Sequence, residues 1–101
     1  MDALKSIESW YLSQCDGDWE HQFGIKIETL DNPGWHIEIS LAKTALESRI
    51  LTKLDIERSE QDWICCKVKD NMFIGHGGPE NLKGILEVFL AWASDSTHSA
   101  P

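Results

Sequence analysis

Positive charge is what this sequence is shortest of. Nine Lys and Arg stand against 17 Asp and Glu in 101 residues, a formal charge of −8. A binder of nucleic acid or of an anionic membrane needs a basic footprint, so both classes are disfavoured. What remains is a protein that meets a basic partner, or one that is merely very soluble. Cysteine is sparse as well: Cys15, Cys65 and Cys66 are an odd count, two of them adjacent. No CxxC or Cys/His spacing of a structural zinc site is present. Adjacent cysteines on a strand point to opposite faces and rarely bridge each other, so all three read as reduced thiols of a cytoplasmic protein. Long apolar runs are missing too. The start Met1-Asp2-Ala3-Leu4-Lys5 is no signal segment, and nothing approaches the ~20 apolar residues of a membrane helix. Repeats, linkers and low-complexity tracts are not seen. The chain therefore reads as one domain over 1–93 with a small, polar tail over 94–101. A domain of this size buries roughly two-thirds of the surface its unfolded chain exposes, enough for one core without staples.

What is present alternates between two periods. Leu4, Ile7, Trp10 or Tyr11, and Gln14 recur at helical spacing over 2–14, with Asp2 placed to cap and Asp16-Gly17-Asp18 to stop the helix. Gly17 supplies a positive φ there if one is needed. From Phe23 the period becomes two: Phe23, Ile25, Ile27 and Thr29 share one face, Lys26 and Glu28 the other. Pro33 and Gly34 suit the central positions of a type II turn. Beyond it Trp35, Ile37, Ile39 and Leu41 alternate with His36, Glu38 and Ser40, which makes an antiparallel hairpin. Residues 42–52 read equally as helix or as a long loop. Leu54 and Ile56 alternate with Asp55 and Glu57 as a third strand, 63–69 forms a fourth, and 72–76 a short fifth after a turn at Asp70-Asn71. Gly77-Gly78-Pro79-Glu80 reads as a helix start with Pro79 in the first helical position. An apolar stripe of Leu82, Ile85, Leu86, Phe89, Leu90 and Ala93 follows. The pattern predicts an α+β fold: a five-stranded antiparallel sheet in meander order, with the N- and C-terminal helices packed on one face. The other face is left to solvent or a partner.

Candidate chemistry is thin. Asp16, Asp18 and Glu20 form an acidic cluster beside Trp19 and His21, but the ligand series of a calcium loop is missing, so a capped helix end and solvated turn is the plainer reading. Cys15 with His21, or His21 with Glu20, lacks the third, orienting group that catalysis requires. Gly75-His76-Gly77-Gly78 precedes a helix without the Lys and Ser/Thr of a phosphate-cradling loop, and reads as a tight turn. His36 and His76 fall on opposite registers of separate strands and read as structural or surface residues. Trp10, Trp35 and Trp92 lie on or beside apolar stripes and read as core. Trp63 sits on the non-core face of its strand, either as an interface anchor or packed against a neighbour. The residues therefore predict no enzyme, no metal and no cofactor.

The run Trp10-Tyr11-Leu12-Ser13-Gln14-Cys15-Asp16-Gly17-Asp18-Trp19-Glu20-His21, the downstream Thr29-Leu30-Asp31-Asn32-Pro33-Gly34-Trp35, then Asp62-Trp63 and Gly77-Gly78-Pro79, carry a resemblance. The chain resembles the immunity protein 53 family of bacterial polymorphic-toxin systems, from about residue 4 to 92. The resemblance implies a small cytoplasmic protein that binds and neutralises a cognate toxin. Many such toxins are nucleases with basic sites, for which an acidic partner is complementary. It implies no catalytic residue, and it leaves open whether the matched residues hold the fold or touch the toxin. The expected contact set is Asp16, Asp18, Trp19, Glu20, Glu38, Asp55, Glu57 and Trp63, drawn from the acidic loop and the outer registers of the sheet. A generic acidic protein-interaction or regulatory module is the competing reading.

Overall fold

A computed structural model describes residues 2–94 of the chain. Helix α1 (Ala3–Gln14) starts where expected, with Asp2 Oδ1 accepting the backbone N–H of Leu4 at 3.1 Å and of Lys5 at 3.3 Å. A four-residue helix α2 (Trp19–Gln22) follows, unforeseen in the periodicity. Then come β1 (Ile25–Leu30), β2 (Gly34–Ser40), β3 (Leu54–Glu57), β4 (Trp63–Lys69), β5 (Met72–Gly77) and α3 (Leu82–Ser94). The tail expected beyond Ser94 lies outside the described residues.

All five strands are antiparallel, but their order is β1-β2-β5-β4-β3, which corrects the meander. The chain makes a β1–β2 hairpin and a β3–β4–β5 meander, and docks β5 against β2. A meander needs a short link from β2 to β3, whereas residues 41–53 intervene and carry the chain across to the far edge. Burial accounts for the order. The inner strands alternate buried and half-buried, while β1 and β3 at the edges are largely exposed.

Residues 41–53 are neither helix nor strand. They proceed by turns, with Lys43 at φ 65° and Ser48 at φ 68°. Asp70 and Asn71 both take positive φ, 55° and 61°, as a two-residue hairpin turn requires. The Pro33-Gly34 expectation fails: the hairpin loop is 31–33, and Gly34 already pairs with Leu30 inside the sheet. Gly34 is small for a different reason, since a Cβ there would overlap the carbonyl oxygen of Gly77. Helix α3 begins at Leu82, later than Pro79, because Gly78–Asn81 closes its own turn through Asn81 N–H to Gly78 O at 3.0 Å.

Both helices cover one face, as expected. Ala3 and Ile7 of α1 and Ile85, Leu86 and Phe89 of α3 share a single core with Ile37, Ile39, Cys66 and Phe73 of the sheet. Trp10 meets Phe89 edge-on with ring centroids 5.0 Å apart. Gly75 and Gly77 lie in β5 directly beneath Ile85, so the glycine-rich stretch serves close helix-on-sheet packing. Three indole N–H groups then fasten the irregular segments. Trp19 donates to Ala42 O at the start of the crossover, Trp92 to Ile50 O near its end, and Trp35 to Pro79 O ahead of α3, each at 3.0 Å.

Candidate functional site

The acidic loop is built by its own carboxylates. Asp16 Oδ1 accepts the backbone N–H of Asp18 at 3.0 Å and of Trp19 at 2.9 Å. Glu20 reaches back to accept from Asp16 N at 3.0 Å and Gly17 N at 2.9 Å. Together these bonds satisfy the open amides around the start of α2, with Gly17 at φ 90° making the bend. The amides of Trp19 and Asp18 hold the Asp16 carboxyl below its ordinary range. Glu20 is lowered as well, first by its own backbone N–H and then by those of Asp16 and Gly17. Asp18 accepts from Gln22 Nε2 at 3.1 Å. Trp19 is only 3% exposed, edge-on to Trp10 and Tyr11, so it secures the loop from inside. Cys15, just past the end of α1, turns its Sγ back to Tyr11 O at 3.4 Å.

The face turned away from α1 and α3 carries the other candidates. Register places Lys26 and Glu28 of β1, His36 and Glu38 of β2, Ile74 and His76 of β5, Cys65 and Lys67 of β4, and Asp55 and Glu57 of β3 on it. His36 and His76, expected on opposite registers, are direct partners across β2 and β5. His36 Nδ1 lies 2.6 Å from His76 Nε2, and His36 Nε2 lies 2.7 Å from Glu38 Oε2. Glu38 can only accept, so His36 carries a proton on Nε2. A neutral His36 then accepts from His76, and a charged His36 donates to it. The bond from His36 is the first cause that lowers the Glu38 carboxyl, and burial is the first that lowers His76. Their misassignment arose because pairing between β2 and β5 is not local in sequence. Once those strands are neighbours, the alternation along each puts the two rings opposite.

The structure gathers the expected contact residues into two groups. Gln22, whose Nε2 donates to Asp18, lines a groove that continues over Lys26, Glu38, Ser40 and Met72, so the acidic loop reaches the sheet face through Gln22. Asp55 lies opposite Cys65 and Glu57 opposite Trp63 at the other edge, and Trp63 is half-buried. That corner is held by Asp62, which accepts from Arg58 Nε and Nη2, each at 3.0 Å, and from Asn81 Nδ2 at 3.0 Å. Lys26 pairs with Glu28 at 3.7 Å, and Lys67 stands between the two acidic flanks. The face is thus banded in charge and not uniformly acidic. Of the thiols, Cys66 is buried in the core, where burial pushes it up to about 12. Among the described residues no group of three or more His, Cys, Asp or Glu is placed to hold a metal ion. No described helix is long and apolar enough to cross a membrane.

Comparison with curated proteins and with solved structures finds no match for this chain. Comparison with protein families does find one, over residues 4–94, a span that takes in the acidic loop, all five strands and the whole of α3. By that match the chain belongs to the immunity protein 53 family.

Proposed function

We propose that this chain binds a cognate toxin in the cytoplasm and silences it by occlusion, acting by contact and not by catalysis. The observation that carries the reading is the five-stranded face with no described helix over it, flanked by Glu28 and Glu38 on one side and Asp55 and Glu57 on the other. Rigid strands hold these carboxylates at fixed separations, so a partner with matching cations meets a preformed surface. Asp16, Asp18 and Glu20 extend the acidic flank around the edge, and a basic nuclease cleft is the complementary shape of partner. Trp63 supplies the aromatic anchor beside Glu57, while Trp19 supports the loop from within. Charges of this kind chiefly raise the association rate, and a buried aromatic sets the residence time.

The test is toxin binding with the neighbouring gene product as partner. Association is measured at low and high salt for wild type, Asp18→Asn, and Asp55→Asn with Glu57→Gln. These variants spare Asp16 and Glu20, whose bonds build the loop. The rate should fall with salt and with each neutralisation, because exposed charges more than ~8–10 Å apart are screened near physiological ionic strength. Trp63→Ala should instead speed dissociation. An association rate indifferent to salt and to every neutralisation would overturn this contact surface.

A further inference from the structure

Strand β1 is an open edge of the sheet, and its charges, Lys26 and Glu28, are of opposite sign. Positions 26–29 are all exposed, no proline or bulge interrupts the strand, and Ile27 is 45% exposed. Its hydrogen-bonding phase follows from two bonds. Ser40 N–H donates to Gly24 O, and Leu41 N–H donates toward β5 at Asn71 O. The even-numbered residues of β1 therefore bond to β2, and the N–H and C=O groups of Ile25, Ile27 and Thr29 point outward. The side chains of those same residues lie on the helix side. There Ile27 and Ile25 border an apolar groove of about 380 Å³ under α1, with Ile7, Tyr11 and Phe23.

We infer that two copies of this chain pair edge to edge through β1, antiparallel and centred on Ile27. The register is self-complementary in three respects. Ile27 faces its own copy, and Ile25 faces Thr29 at both ends, so every outward N–H and C=O of the three residues finds a partner. Ile27 from each copy packs beside the other at the mouth of the grooves. On the opposite face Lys26 falls across from Glu28 of the second copy, twice by symmetry, and in the non-hydrogen-bonded pair type that brings side chains closest. A shift of the centre by one residue loses this match: centred on Lys26, like faces like. The union leaves Asp55, Glu57 and Trp63 uncovered but engages Glu28 of the proposed toxin face, so it is tested without a toxin.

Sedimentation equilibrium of the full chain at ~0.15 M salt, where the repulsion of two acidic bodies is screened beyond ~8 Å, reads the association. Wild type should dimerise with rising concentration. Lys26→Glu alone and Glu28→Lys alone set like charges opposite one another at two places, and each should weaken the dimer on the order of tenfold. The two substitutions combined should restore it. Circular dichroism of each variant separates lost pairing from lost folding. A wild-type chain that stays monomeric at millimolar concentration overturns the inference, including the case in which β1 pairs only with a toxin strand. So does a dimer indifferent to the single reversals, or one the double exchange does not rescue.

Discussion

Trp19 is the sharpest place to test whether the acidic motif is scaffold. Its indole is 3% exposed, lies 6.1 Å from the ring centroids of both Trp10 and Tyr11, and donates to Ala42 O at 3.0 Å. Trp19→Ala removes the ring and the bond together. Deleting a buried Trp typically costs ~3–5 kcal/mol, and at roughly 4–8 °C per kcal/mol for a domain of this size the midpoint should fall by at least about 12 °C. Trp19→Phe retains most of the ring contact and leaves the Ala42 carbonyl without its indole donor, a loss of about 1 kcal/mol. Thermal unfolding followed by circular dichroism at neutral pH measures both. Hydrogen exchange of Trp19→Phe should quicken first around residues 42–46, where the crossover leaves the sheet. A Trp19→Ala midpoint within about 4 °C of wild type would refute the placement of this ring as the inner support of the loop.

Trp35→Ala should also destabilise by ~3–5 kcal/mol, since the ring packs on the core and its N–H holds Pro79 O; an unchanged midpoint would show the β5–α3 turn needs no such tie. The His76–His36–Glu38 chain predicts a pH dependence with a defined sign. Burial holds His76 below 6.5 in the fold, so as pH drops through 6.5 the unfolded chain takes up the proton first and stability declines. Glu38, lowered by the His36 bond, adds its own loss only further down, as pH falls from about 4.3 through its folded value. Unfolding midpoints between pH 8 and 5 should therefore fall on the acid side for wild type and lie flatter for His76→Asn; equal slopes would remove His76 as the cause.

Local pattern carried far into this fold, and it stopped where pairing became non-local. The bounds of β4 were legible because Ile64, Cys66 and Val68 alternate with Trp63, Cys65 and Lys67 between two polar turns, and Asp2 was legible as a cap because capping is a matter of three residues. The place of β5 between β2 and β4 was not, because nothing in the run from Met72 to Gly77 names its neighbours. From that one gap followed the misreading of His36 with His76, and of Gly34, whose constraint is the carbonyl of Gly77 on another strand. The short helix α2 was missed for the opposite reason. Four residues have no period to detect, yet Asp16 and Glu20 on either side of Gly17 are a local capping signal that pointed to it.

The three indole bonds change what the conspicuous residues of this chain mean. Trp19, Trp35 and Trp92 each spend their N–H on a carbonyl in an irregular segment, and Asp16 and Glu20 spend their carboxylates on amides of their own loop. A group already bonded in the free protein gains less from a partner, since the old bond is lost as the new one forms. The side chains with most to gain are the plainer ones: Asp55 and Glu57 along β3, Asp18, held only by an exposed bond from Gln22, and Lys26 with Glu28, whose mutual contact at 3.7 Å is exposed and weak. Recognition by this fold should thus change with its edges and flanks while the aromatic motif stays constant. Charge substitutions at 18, 55 and 57 should accordingly alter partner binding without moving the unfolding midpoint, whereas substitutions at 16, 19 and 20 should move the midpoint first.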